Sequence, residues 1–415
     1  MNIAIINGRL IDPKNKIDTA ANLYVSEGQI SAIGNAPAGF AADRTIDAAG
    51  CIVCPGLVDL SARLSGLERE LAAAVAGGVT TVVRPPDTNP PLDEPELVQR
   101  LIRRSADAAK ARVLPLGALT KGLEGERLAE MAALREAGSI AFAQANRPVV
   151  DTQALLRALE YAATFGYAVW LQPEDHWLAH NGVAHDGEMA SRLGLAGIPV
   201  AAETIAIATL LQLAAETGVR LHLTRISSAA GMAMIEQAQA KGAQVTCDVG
   251  IHHLHLTEMD IGYFDAQARF DPPLRAQADR AALSSAVARG SAAICSDHTP
   301  MGDDDKLLPF GEAKPGATGL ELLLPLTLKW AETAGVAMPE ALARITSQPA
   351  AIAGCNAGHL SIGTPADVCV FDPEAEWLVT RESFVSRGRN TPFLGYALNG
   401  RVRHTLVGGE VVYSA

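Results

Sequence analysis

Apolar and polar positions alternate with two different periods along this chain. Near the start the period is two: Ile3-Ala-Ile-Ile-Asn-Gly-Arg-Leu, Asn22-Leu-Tyr-Val and Gln29-Ile-Ser-Ala-Ile-Gly, with Asn-Gly and Gly punctuation between them. The same pattern returns at the end in Asp367-Val-Cys-Val-Phe-Asp, Glu376-Trp-Leu-Val and the run from Val402 to Tyr413. Short strands with turn signals predict a small β unit, and residues 1–54 and 361–415 are expected to build it jointly as a sandwich-like satellite domain. Residues 55–360 read differently. Apolar β-like runs begin at Leu57, Thr80, Val113, Ser139, Ala168, Arg220, Gln244 and Ala292. Ala-rich stretches of helical period separate them, among them Leu67–Ala76, Glu94–Lys110, Gln153–Thr164, Glu203–Glu216 and Ala276–Ala288. Such a series of strand–helix units predicts an α/β chain whose central domain is a (β/α)8 barrel, with chemistry at the C-terminal strand ends. A doubly wound open sheet is the rival, but no G-x-G-x-x-G follows the first strand.

Composition narrows the partners. At 48% hydrophobic and 19% charged, the 415 residues can bury a large core, which excludes a disordered chain. The 34 basic and 46 acidic residues leave a net charge of −12, against a nucleic-acid or anionic-membrane surface. The six cysteines lie mostly in apolar runs, as expected of a reduced, cytoplasmic protein. Cys51 and Cys54 form a C-x-x-C with no second pair to complete a zinc site. The first apolar run is too short for a signal peptide, and none reads as a membrane span.

The strand ends carry the polar residues. Ser61 and Arg63 follow the first strand, and Arg84-Pro-Pro-Asp-Thr-Asn-Pro-Pro the second. Gln144 ends the fourth, Gln172-Pro-Glu-Asp the fifth and Arg225-Ile-Ser-Ser the sixth. Asp248-Val-Gly-Ile-His-His-Leu-His follows the seventh strand and Ser296-Asp-His the eighth. Taken with Pro55-Gly-Leu-Val-Asp-Leu, Ala76-Gly-Gly-Val-Thr-Thr-Val, Asp271-Pro-Pro-Leu-Arg, Gly319-Leu-Glu and Asn390-Thr-Pro-Phe, this layout resembles the dihydroorotases of the amidohydrolase superfamily over essentially its whole length.

The resemblance implies a metal centre that these residues do not supply. Active members hold metal with an H-x-H after strand one, where this chain has Ser61-Ala62-Arg63. Gln144 and Ala145 stand where the bridging carboxylate or carboxylated lysine is expected, Gln172 at the strand-five histidine and Arg225 at the strand-six histidine. Only Asp297, the strand-eight carboxylate, matches. An amide is a poor zinc ligand and a guanidinium cannot be one. The family's substrate positions depart as well, with Ser65, Asp87, Asp271 and Met301 in place of arginine, two asparagines and histidine. The two aspartates are expected to repel an anionic substrate. Left without metal, Asp297 needs a cation, and Arg63 or Arg225 is expected to pair with it.

This pattern is similar to the non-catalytic dihydroorotase homologues of some bacteria, as are Gly117-Ala-Leu-Thr-Lys-Gly-Leu-Glu and Ala158-Leu-Glu-Tyr-Ala-Ala-Thr-Phe. That likeness implies a subunit without cofactor, a dimer in a mixed assembly that partners the aspartate carbamoyltransferase catalytic chain. The alternative is an active cyclic amidohydrolase with a relocated or single zinc site drawn from Asp248, His252, His253, Asp297 and His298, which requires those side chains to converge. An empty barrel that senses a small ligand is a third reading. Among the remaining groups, His222 is expected to pack or hydrogen-bond in the core. His176, His180, His185 and the run Asp303-Asp-Asp-Lys are expected to be solvated, and Tyr161, Phe165 and Tyr167 to be buried.

Overall fold

The computed structural model describes all 415 residues. Eight parallel strands form the central sheet: β1 (Leu57–Asp59), β2 (Val79–Arg84), β3 (Arg112–Ala118), β4 (Ala141–Ala143), β5 (Ala168–Leu171), β6 (Arg220–Leu223), β7 (Val245–Gly250) and β8 (Ala293–Cys295), hydrogen-bonded in chain order. Beyond the ladder, the backbones of Ala62 and His298 close the ring between β1 and β8. Asp59 reinforces the seam, accepting from the Ser296 backbone at 2.7 Å and the Ser296 hydroxyl at 2.6 Å. Around the barrel run α1 (Leu67–Ala76), α2 (Pro95–Asp107), α3 (Met131–Glu136), α4 (Thr152–Thr164), α5 (Val200–Thr217), α6 (Ala229–Ala240), α7 (Gln277–Arg289) and α8 (Leu323–Ala334).

Strand period decides which residues fill the barrel. Leu60, Val83, Leu116, Ala141, Ala143, Trp170, Ala293 and Cys295 pack inside it. Their neighbours Val82, Phe142, Val169 and Leu171 face out and join the larger core beneath the helices. Each helix contributes a stripe at helical spacing, as Leu155, Ala158, Leu159 and Ala162 do on α4. Burying one such leucine contributes roughly 1.5–3 kcal/mol. The helix α5 departs from the expected absence of any span-like run. It is long and apolar enough to cross a membrane by length and composition, with a mean hydropathy of 1.3. In the fold it is a barrel helix, and it holds the buried Glu203 against the backbone and hydroxyls of Ser227 and Ser228.

Both chain ends share the satellite. A four-stranded sheet comes from the first fifty residues, and a six-stranded sheet interleaves N- and C-terminal strands. Its central pair is Ile52–Pro55 against Val368–Leu378, in the register Ile52 to Phe371 and Pro55 to Val368. That register sets Cys54 opposite Cys369, so Cys54 has its sulfur neighbour across the sheet instead of at Cys51; all six thiols are free. Residues 385–390 leave the satellite and lie on the barrel. There the Val385 and Ser386 amides donate to Glu321, and the Ser386 hydroxyl and Arg387 amide donate to Glu70.

Candidate functional site

The barrel mouth is built by residues one or two positions beyond the inward-facing strand ends. Trp170 lies inside the barrel, so Gln172 points into the mouth by the same period. At three other strand ends the backbone turns through the left-handed region, at Ala145 (φ 51°), Arg225 (φ 56°) and Asp297 (φ 45°). Non-glycine residues adopt this conformation at a cost of about 1–3 kcal/mol, and such residues concentrate at ligand-binding strand ends.

These turns bring together a closed set of polar groups. Arg225 donates to Asp297 at 3.2 Å, to the Asp271 carbonyl at 3.0 Å, to Asn146 Oδ1 at 2.5 Å and to Gln172 Oε1. Arg63 donates to Asp87 at 2.7 Å, to the same Asn146 oxygen at 2.7 Å and to Thr299 at 3.3 Å, and lies 3.8 Å from Asp297. The Asp271 carboxylate accepts from the amide groups of Asn146 at 2.7 Å and Gln172 at 2.8 Å. Asp87 and Asp271 are therefore occupied in balancing guanidiniums and orienting amides. The expectation that they act by repelling a substrate misses this, because it takes them one at a time. Between Ser61, Arg63, Trp170, Gln172 and Arg225 there remains a cavity of ≈ 20 Å³, about the space of one water.

Two guanidiniums thus face three carboxylates, with Arg225 and Asp297 buried and Arg63 and Asp87 partly exposed. Burial pushes the Asp297 carboxyl up, and Arg225 and Arg63 oppose that push. Burial also acts against the charge of Asp87, but Arg63 prevails and holds it below the usual carboxylate range. Burial works against the Arg225 charge, which Asp297 and Asp271 more than restore, so its pKa is raised. Glu174, half-buried at the rim, is pushed up to about 7 by burial and by Asp271.

The donor set does not suit zinc. Divalent zinc takes three or four N, O or S ligands, and guanidinium nitrogens have no lone pair to give. Asp297, the one family ligand retained, is committed to both arginines. Nowhere in the chain do three or more His, Cys, Asp or Glu side chains gather in a way that could hold a metal ion.

Other candidates lie apart from this cluster. Gln144 accepts from Thr120 at 3.0 Å, and its amide nitrogen is buried without a partner; Asn146, two residues on, occupies the mouth instead. Sequence reasoning missed Asn146 because nothing local reveals the left-handed turn at Ala145. Ser61 is buried and its carbonyl joins the barrel seam. Ser65 is exposed and lies 3.5 Å from the Pro300 carbonyl, and the Met301 amide donates to Asn390.

The alternative centre does not assemble. Asp248 binds His222 at 2.9 Å, the Arg225 amide at 2.8 Å and the Cys295 thiol at 3.2 Å. His298 is turned to Glu70 at 3.0 Å on α1, and its other ring nitrogen accepts from the Gly319 amide. His253 reaches the Pro272 carbonyl at 3.1 Å. His252 stacks between Phe270 and Phe393 at ring-centre distances of 4.8 and 5.8 Å. Burial, reinforced by the neighbouring His253, lowers the His252 pKa to about 3.

Three solvated or buried assignments change as well. His185 is buried against Arg275 at 3.1 Å. Lys306 is buried and donates to the Ala266 carbonyl at 2.9 Å, anchoring the acidic run. Phe165 is exposed, although it stacks on Tyr161 and Tyr167.

Comparison with known proteins agrees with this architecture. A family model described as dihydro-orotase-like matches residues 50–230. A Pseudomonas putida protein named dihydroorotase-like protein is 46% identical over 422 aligned residues, covering 100% of this chain and 99% of that protein. A Pseudomonas aeruginosa protein of the same name is 44% identical, with 100% of both covered. A Syntrophotalea carbinolica dihydroorotase is 38% identical, covering 100% of this chain and 99% of that protein. Among solved structures, an L-hydantoinase (dihydropyrimidinase) from Arthrobacter aurescens superposes with a TM-score of 0.88 at 25% identity, over 99% of this chain and 96% of that one. With identity of this order along the full length, the chain belongs to the dihydroorotase-like family of the amidohydrolase superfamily.

Proposed function

We propose that this chain is a non-catalytic, metal-free member of its family, a cytoplasmic subunit that supports the assembly or stability of aspartate carbamoyltransferase in de novo pyrimidine biosynthesis. One observation carries the reading: the space around Asp297 at the centre of the barrel mouth is filled by the protein's own side chains. Hydrolysis or cyclisation of an amide needs an activated water or amide nitrogen, a free base and an electrophile for the carbonyl oxygen. Here Asp297 is engaged by Arg225 at 3.2 Å, and Arg225 is itself held by Asn146 and the Asp271 carbonyl. The ≈ 20 Å³ left between them is too small for a cyclic amide. A barrel that retains its fold while losing that space fits a scaffolding role, as a dimer within a mixed assembly with the carbamoyltransferase catalytic chain.

Co-expression with the aspartate carbamoyltransferase of the same genome tests this. The two chains are expected to co-elute as one large species by light scattering, with the carbamoyltransferase losing activity or thermal stability when this chain is omitted. Dihydroorotate cyclisation or cyclic-amide hydrolysis by this chain alone overturns the reading in favour of a hydrolase. So does a carbamoyltransferase that neither binds the chain nor changes without it.

A further inference from the structure

A second cleft lies outside the barrel wall, between α1, the end of β2 and α2. It encloses ≈ 200 Å³ and is lined by Arg84, Arg100, Arg104, Leu64, Gly66 and Asn89 among others, with no aspartate or glutamate in its wall. Strand period places Arg84 there: Val83 fills the barrel interior, so the next side chain points outward.

The three arginines are under-compensated. Arg84 is half-buried, and its one protein acceptor is the Leu64 carbonyl at 3.4 Å. No carboxylate lies within 4.0 Å of Arg84 or Arg100. Arg104 has a single loose, exposed pair with Glu68 at 3.5 Å, of a kind that contributes little. Burial depresses the Arg84 pKa to about 10, with Asp87 partly offsetting it and Arg104 adding to it. The contrast with the barrel mouth is direct, since there each guanidinium has a carboxylate partner. In a chain of net charge −12, three guanidiniums around one cleft with no acid in its wall concentrate positive charge that only the loose Glu68 contact offsets.

We propose that this cleft is a binding site for a phosphate dianion, either inorganic phosphate or the phosphate of a small monoester. Planar guanidiniums donate in pairs to phosphate oxygens, and a tetrahedral dianion carries two charges and oxygens facing in several directions, which suits guanidiniums that approach from different sides of the cleft. The cleft volume leaves room beside the phosphate for a few further atoms. The site is separate from the barrel mouth, so it stands or falls independently of the subunit reading.

Calorimetric titration of the full chain in about 0.15 M chloride tests it, with inorganic phosphate, adenosine 5′-monophosphate and adenosine as probes. Inorganic phosphate or the monophosphate is expected to bind saturably at one site per chain, and adenosine not to bind. Equal affinity for the two phosphates identifies the bare dianion as the ligand, and tighter monophosphate binding identifies an ester. R84Q and R100Q are each expected to weaken binding by about tenfold or more, while R103Q, on the same helix but outside the cleft, changes it by less than about twofold. R100Q alters an exposed side chain and decides the matter should R84Q fail to fold. Absence of saturable binding by both phosphate probes overturns the proposal, as does equal weakening in R100Q and R103Q.

Discussion

Asp297 sits at the end of β8 with almost no access to water, and two guanidiniums replace what a cation would supply. Removing one partner of such a buried pair is costlier than the pair's own net contribution, because the other charge stays behind. Arg225→Met is therefore expected to destabilise the protein by about 3–5 kcal/mol, read from its urea denaturation midpoint. Adding Asp297→Asn to that variant is expected to restore part of the loss, and a double variant no better than the single one counts against the pairing. His252 illustrates the opposite case, a titratable group kept neutral. Its folded pKa is about 3 against an ordinary value of 6.5. Below pH 6.5 the unfolded chain takes up a proton that the native ring refuses, so this residue favours the native state fully above pH 6.5 and loses that contribution as pH falls toward 3. Replacing it with phenylalanine, which suits the slot between Phe270 and Phe393, is expected to remove on the order of 2 kcal/mol of stability loss between pH 7.5 and pH 5. Parallel denaturation profiles for His252→Phe and the native protein would rule this out.

At the level of elements, the strands and helices were legible because their burial is one-sided or complete. Leu67–Ala76 was expected as a helix and is α1; the β-like run at Thr80 is β2, extended by a residue or more at each end. What the pattern does not carry is how elements are tied to one another. Glu70 lies in the first turn of α1 and is fully buried, accepting from His298 on one side and from Ser386 and the Arg387 amide on the other. It fastens the 385–390 segment over the barrel, together with Glu321. Glu70→Ala leaves the two buried donors of His298 and Ser386 without an acceptor, along with the part-buried Arg387 amide, and each buried orphan costs about 1–3 kcal/mol. The expected outcome is faster tryptic cleavage after Arg387 and Arg389 than in the native protein, followed by mass spectrometry of the fragments. An unchanged cleavage rate there would show that the segment is held by other contacts.

For the whole molecule, a metal that binds the native state adds to its stability, and stripping it takes that stability away. A protein whose Asp297 is held by arginines is expected to keep its melting temperature within about 1 °C when treated with a chelator or with added zinc. A fall of several degrees with the chelator, reversed by zinc, would place a metal in the native protein after all. The sequence by itself determined the α/β alternation, the eight-unit barrel, the composite satellite and the identity of the residues at each strand end, since these follow from local period and from position along the chain. It also showed that Arg63 and Arg225 bring no lone pair to the strand ends they occupy, because that depends only on the chemistry of the guanidinium. Only the tertiary structure decided what those residues do instead. Asp87, Asn146, Asp271 and Asp297 are up to 210 residues apart in the chain (Asp297 less Asp87), and their polar groups acquire partners through three left-handed turns and a ring of strands. Electrostatic pairing depends on distances across the barrel, and no pattern along a single strand encodes them.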